Sequence, residues 1–155
     1  MNNQKGFSLI ELMTVIIIVG IMVGIAVPTI TRNLPYRRLL EARSQVKSDL
    51  MLMRQKSMVE SRSYGAAVLA ANTNQYLLFE DVNDDNAYTA GTDRLVKSVN
   101  LPTRVNFNVA ANQALTFLRS GILNTTGTTN LNIQLLNEKN EAKTLTVMLS
   151  GIVVD

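Results

Sequence analysis

Few side chains in this 155-residue sequence can do chemistry, and carboxylates dominate them. There is no histidine and no cysteine. That removes Ser-His and Cys-His catalysis, histidine- or thiolate-ligated metals, disulfides and the usual general base near neutral pH. The densest set of oxygen ligands is Asp81-Val82-Asn83-Asp84-Asp85-Asn86, which alternates ligands as a calcium loop does. Such a loop also needs Gly at its sixth position and a bidentate Glu at its twelfth. Here those positions hold Asn86 and Thr92, with Asp93 one step late. The Asp81–Asp85 segment therefore reads as a solvated acidic turn, with Asn86 tolerating the left-handed conformation a tight turn needs. No glycine-rich phosphate loop is present either. The expectation is a protein without catalytic residues, cofactor or metal.

Two further charge features ask for a role. Glu11 sits between Phe7, Leu9 and Ile10 on one side and an apolar run from Leu12 on the other. An acidic residue costs about 2.5–3.5 kcal/mol at the centre of a membrane helix and less near its end. Glu11 thus marks either an interface or a function. The second feature is basic. Between Arg32 and Arg62 there are eight Lys or Arg against three acidic residues, among them Arg37, Arg38, Arg43, Lys47, Arg54 and Lys56. A basic helix can bind nucleic acid or anionic lipid. Residues 76–155, with six basic and eight acidic groups, do not continue the excess.

These residues need elements to hold them. Leu12 to Thr31 is twenty residues without a charge. As a helix rising about 1.5 Å per residue it would span roughly 30 Å, the thickness of a bilayer's hydrocarbon core. A secretory signal peptide is a poor alternative. The run is long, only Lys5 precedes it, and Ile25-Ala26-Val27-Pro28 is a poor cleavage site. Beyond it, Leu39, Ala42, Val46, Leu50 and Met53 form one apolar helical stripe. Met51, Met53 and Met58 read as core filler. The pattern predicts one helix from Phe7 to Arg62, with Pro35 as its expected bend; its first half, 7–31, would be transmembrane and its second, 32–62, amphipathic. From residue 63 to 155 the period is two. Expected strands are Tyr64–Ala70, Gln75–Glu80, Arg94–Val99, Arg104–Val109, Leu115–Arg119, Asn130–Leu136, Thr144–Leu149 and Ile152–Val154. The fold class is α+β, a long N-terminal helix followed by a mainly antiparallel β domain.

MNNQKGFSLIEL followed by an apolar helix resembles the class III signal of type IV prepilins and type II secretion pseudopilins. The resemblance rests on Lys5, Gly6, Phe7, Ser8, Leu9, Ile10 and Glu11, and extends to Pro28. It implies a leader, residues 1–6, that a prepilin peptidase removes between Gly6 and Phe7 before N-methylating Phe7. It also implies a single-pass inner-membrane subunit with a periplasmic C-terminal domain. Glu11 would serve assembly, its charge met by the N-terminal amine of a neighbouring subunit. The order of the later text resembles GspH/FimT minor pseudopilins and minor pilins, with Phe117-Leu118-Arg119-Ser120-Gly121 and Ser150-Gly151 as matching turns. The implied partners are other pilins or pseudopilins, the peptidase and the inner-membrane assembly platform. Some FimT-like minor pilins take up DNA, which keeps a DNA-binding minor pilin as the alternative. The end of this sequence, Ile152-Val153-Val154-Asp155, lacks their basic motif.

Overall fold

The computed structural model describes residues 7–124 and 130–155, leaving aside the side chains of 26–31. Helix α1 runs Leu9–Glu60. It starts two residues after the expected position and ends two before it. It ends because Ser61 takes a left-handed conformation, φ 53°, which closes a helix as a C-terminal glycine does. Pro35 does not end the helix and is buried. The chain divides into two compact units, Met1–Leu34 and Pro35–Asp155.

In the second unit the helix buries Leu39, Ala42, Val46, Leu50, Met53 and Ser57, the predicted stripe extended by one turn. Met53 is core as expected. Met51 and Met58 are not: they are 40% and 42% exposed, because their positions fall outside the arc that faces the sheets. The stripe packs into one core with residues of the nine antiparallel strands found among the described residues.

A five-stranded sheet has the order β3-β2-β1-β5-β6 and a four-stranded sheet the order β4-β7-β8-β9. The first contains β1 (Ser63–Val68), β2 (Gln75–Asp81), β3 (Arg94–Asn100), β5 (Gln113–Phe117) and β6 (Leu123–Asn124). The second contains β4 (Val105–Phe107), β7 (Leu131–Asn137), β8 (Ala142–Val147) and β9 (Val153–Val154). Strand β1 is central and all six of its residues are buried, so its small Gly65-Ala66-Ala67 run replaces alternation. A Cβ at Gly65 would collide with the Leu115 carbonyl oxygen and Thr116 of neighbouring β5. Edge strand β3 is the opposite case. Six of its seven residues are exposed, including Arg94, Leu95, Val96 and Lys97.

Strands β5 and β8 each lie two residues earlier than expected, for one reason. Leu118 and Arg119, like Met148 and Leu149, belong to turns. The two turns have matching hydrogen bonds. Leu118 N–H donates to Ile122 O (2.9 Å) and Gly121 N–H to Leu118 O (2.7 Å); Met148 N–H donates to Ile152 O (2.8 Å) and Gly151 N–H to Met148 O (2.8 Å). Gly121 and Gly151 have φ of 75° and 76°, the left-handed position that a three-residue hairpin loop requires. From α1, Arg54 Nε donates to Gly121 O (2.8 Å) and its terminal nitrogen to Ser150 O (3.1 Å), so one guanidinium holds both turns.

Candidate assembly and processing site

The first described residue of the N-terminal unit is Phe7, 86% exposed. Ser8 O accepts from the N–H groups of Glu11 (3.1 Å) and Leu12 (3.2 Å), which places Ser8 at the head of the first turn. Ser8 and Glu11 have the Ser-x-x-Glu spacing of a helix start, and Glu11 lies in the first turn, where the helix dipole favours a carboxylate. Local physics therefore gives Glu11 a place that costs the helix nothing. Thr14 Oγ1 donates to Ile10 O (2.8 Å), so its hydroxyl is satisfied within the helix.

Apart from Ser8 and Thr14, the surface around Glu11 is apolar. The large apolar side chains of this stretch are all more than half exposed, from 52% at Val19 to 76% at Leu9. A helix that is apolar all round is one that other apolar groups must cover. Among the described residues, no helix is long and apolar enough to cross a membrane. The described side chains of the apolar run stop at Ile25, short of its end at Thr31. Lys5, Gly6 and the side chain of Pro28 lie outside the described residues, so the Gly6–Phe7 junction is seen only from its Phe7 side.

The basic stripe of the second unit is largely consumed by the fold. Arg43 and Lys47 each reach the Asp155 side chain at 3.0 Å, and this pairing, led by Lys47, holds the Asp155 carboxyl below its ordinary range. Lys56 pairs with Glu60 (3.1 Å) and lies 4.7 Å from the centre of the Tyr64 ring. With Arg54 bound to the two turns, four of the six singled-out cations are engaged; Arg37 is exposed and Arg38 half-buried.

The acidic turn is solvated from Val82 to Asp85, as expected, but it is anchored by carboxylates at its base. Asp81 and Asp93 are buried, at 3% and 8% exposure. Asp81 accepts from the N–H groups of Asp85 (3.3 Å) and Asn86 (3.0 Å), and Asp93 from those of Val82 (3.1 Å) and Thr89 (2.6 Å). Burial raises the Asp81 carboxyl above its ordinary value, while the two amides oppose the shift. Asp84 and Asn86 do adopt left-handed conformations, φ 58° and 60°. The carboxylates thus replace a strand partner for this loop's amides. Among the described residues no group of three or more acidic side chains is placed to hold a metal ion.

The sequence reading placed Arg54 only in the basic stripe, without its bonds to the two turns, and missed the Glu80 cluster. Glu80, buried in β2, takes Arg62 at 2.6 Å and Arg94 at 4.0 Å. Nearby, the Tyr64 hydroxyl donates to Glu60. The pairings of Glu80 and Arg54 join residues 14 to 96 apart in sequence. No local spacing announces them, though the two Ser-Gly turns that Arg54 serves were visible.

Comparison with known proteins gives two family matches. The prokaryotic N-terminal methylation motif matches residues 1–27, and the Type II transport protein GspH family matches residues 42–151. Two solved structures share the fold. The type IV minor pilin FimU of Pseudomonas aeruginosa has a TM-score of 0.58 at 12% identity, over 77% of this chain and 88% of that one. The minor pseudopilin EpsH from the type II secretion system of Vibrio cholerae has a TM-score of 0.53 at 12% identity, over 78% and 94%.

Proposed function

From the premise that the chain belongs to the Type II transport protein GspH family, we infer that it is a minor pilin or pseudopilin, a structural subunit that helps initiate or cap a type IV pilus or a type II secretion pseudopilus. The observation that carries this reading is one helix, Leu9–Glu60, whose first part is apolar all round while its last part is the spine of the matched domain. A bare apolar helix needs lipid before assembly and other apolar helices after it.

The finer reading follows. Residues 1–6 form the leader, on the cytoplasmic side. Prepilin peptidase cuts between Gly6 and Phe7 and methylates the new Phe7 amine. Residues 7–31 then span the inner membrane once, residues 32–62 continue the helix, and residues 63–155 fold in the periplasm. The partners are other pilins or pseudopilins and the inner-membrane assembly platform. In the assembled state the Glu11 carboxylate meets the Phe7 amine of a neighbouring subunit. A carboxylate among apolar helices is costly until paired, so the pairing selects one axial register. No second reading is adopted: with four stripe cations bound inside the fold, a nucleic-acid surface has little to stand on.

Mass spectrometry of the membrane-extracted protein tests this. The wild type should begin at N-methylated Phe7, and Gly6→Val should remain uncut at full length, because a side chain at position 6 crowds the scissile bond. A wild-type protein beginning at Met1 would overturn the reading.

A further inference from the structure

Seven of the described cations have a carboxylate oxygen within 4.0 Å, and Arg54 holds two carbonyls. Among the described residues, the side chains of Arg37, Arg38, Lys97 and Lys143 make neither a hydrogen bond nor an ion pair. Three of these four lie together. Arg37 and Arg38 are adjacent on α1, and Lys143, in β8, places its Nζ 5.3 Å from the centre of the Tyr36 ring. Nearby acids do not neutralise them. Glu138 is engaged by Arg104 (2.6 Å) and Glu141 by the Asn137 side-chain amide (2.7 Å). Glu41, one turn past Arg37, is the one acid between Tyr36 and Arg43, so three cations stand against a single carboxylate.

Their arrangement is a collar, not a stripe. Positions 36, 37 and 38 step around the helix by about 100° each while rising only about 1.5 Å. Pro35, Leu39 and Ala42 are buried and mark the side that faces the sheets. Tyr36, Arg37 and Arg38 therefore point to the three remaining sides at one level, and Lys143 joins the side of Tyr36. A rod such as duplex DNA, laid along one side, meets only part of such a ring. A surface through which the helix emerges meets all of it. Tyr36 comes five residues after Thr31, the end of the uncharged run, and so lies within about 18 Å of it even on a fully extended chain.

We propose that Tyr36, Arg37, Arg38 and Lys143 form a binding site for the phosphates of anionic phospholipid headgroups, on the side of the bilayer where the domain lies. The site rests on the reading above that residues 7–31 span the membrane. The two guanidinium groups offer paired N–H donors to phosphate oxygens, and Lys143 adds a point charge. Tyr36 has an apolar ring and a polar tip, which suits the boundary between acyl chains and headgroups. Each cation held near such a surface strengthens attachment about fivefold, and salt screens the effect. A zwitterionic headgroup carries its own cation beside the phosphate and gains little.

The full chain, reconstituted in nanodiscs of equal phosphatidylglycerol and phosphatidylcholine and released into mild detergent, tests this. Lipids retained on the protein are counted by mass spectrometry. At low salt the wild type should retain phosphatidylglycerol over phosphatidylcholine by about tenfold or more, and release at about 0.5 M salt should erase the preference. Arg37→Gln, Arg38→Gln and Lys143→Gln together should abolish it with the thermal unfolding midpoint unchanged. Lys97→Gln removes an equally unpaired cation from β3 and should leave it intact. Equal retention of the two lipids by the wild type, or loss of the preference in Lys97→Gln, would overturn the proposal. So would duplex DNA bound by the wild type in discs of phosphatidylcholine alone and lost in the triple variant, which would assign the collar to nucleic acid. Insertion is scored in parallel by resistance to alkaline extraction from vesicles of the same lipids. If the chain resists extraction yet shows no lipid preference, the headgroup site alone fails. If it is extracted, the membrane-spanning reading and the headgroup site fail together.

Discussion

Glu11 has two roles available, and they separate by experiment. In the first helical turn it is favoured by the helix dipole, an effect of about 0.3–1 kcal/mol, so its loss costs the fold little. In an assembly of apolar helices the same carboxylate needs a cation. Removing it also eases insertion into lipid. Glu11→Leu should therefore be cleaved, inserted and folded as wild type, yet fail to crosslink or co-purify with partner pilins. Equal recovery of partners by the variant and the wild type would reject the registry role. The motif from Lys5 to Glu11 was legible because a processing signal is read as sequence, without tertiary context. The pairing at Glu80 was not, since Arg62 and Arg94 reach it only once β1, β2 and β3 lie side by side.

At the level of elements, Arg54 shows how the helix fixes the sheet ends. It donates to Gly121 in one turn and Ser150 in the other, and Leu123 N–H donates to Leu149 O (3.0 Å) between them. Hydrogen bonds from a charged donor contribute about 1.5–3 kcal/mol in total here, given that Arg54 is only half-buried. Arg54→Met keeps the stem and loses both bonds. It should lower urea stability by about that amount and speed amide exchange at Gly121 and Gly151; unchanged exchange at both would show the clamp to be idle. The helix stripe was readable because five apolar residues repeat at helical spacing. The sheet edges were less so. Strand β6 has two residues, too few for alternation to register, and the apolar Leu118, Met148 and Leu149 extended the apparent strands into what are turns. In β1, burial on both faces removes the period of two altogether.

The whole molecule answers to pH through buried phenols as well as carboxylates. Burial, with a hydrogen bond to Glu60, pushes the Tyr64 hydroxyl up to about 12. Burial and a bond to Asp49 push Tyr76 in the same direction. A phenol unfolded near 10 and folded higher stabilises the native state below pH 10, and that contribution is lost as pH rises through the folded value. Absorbance titration should show Tyr64 and Tyr76 still protonated at pH 11 in the native protein and ionised there in urea. Ionisation of all four tyrosines below pH 11 without unfolding would contradict it. Strand β3 has a consequence for the protein in bulk solution. An exposed edge bearing Leu95 and Val96 is a nucleus for fibrils, and Arg94 and Lys97 beside them act as electrostatic gatekeepers. Two such edges brought together set like charges against each other. Replacing Lys97 by Thr and Arg94 by Gln should leave the unfolding midpoint within a degree or two, yet shorten the lag before thioflavin-positive aggregates form at high concentration. The same protein in high salt, where that repulsion is screened, should drift toward the variant's behaviour.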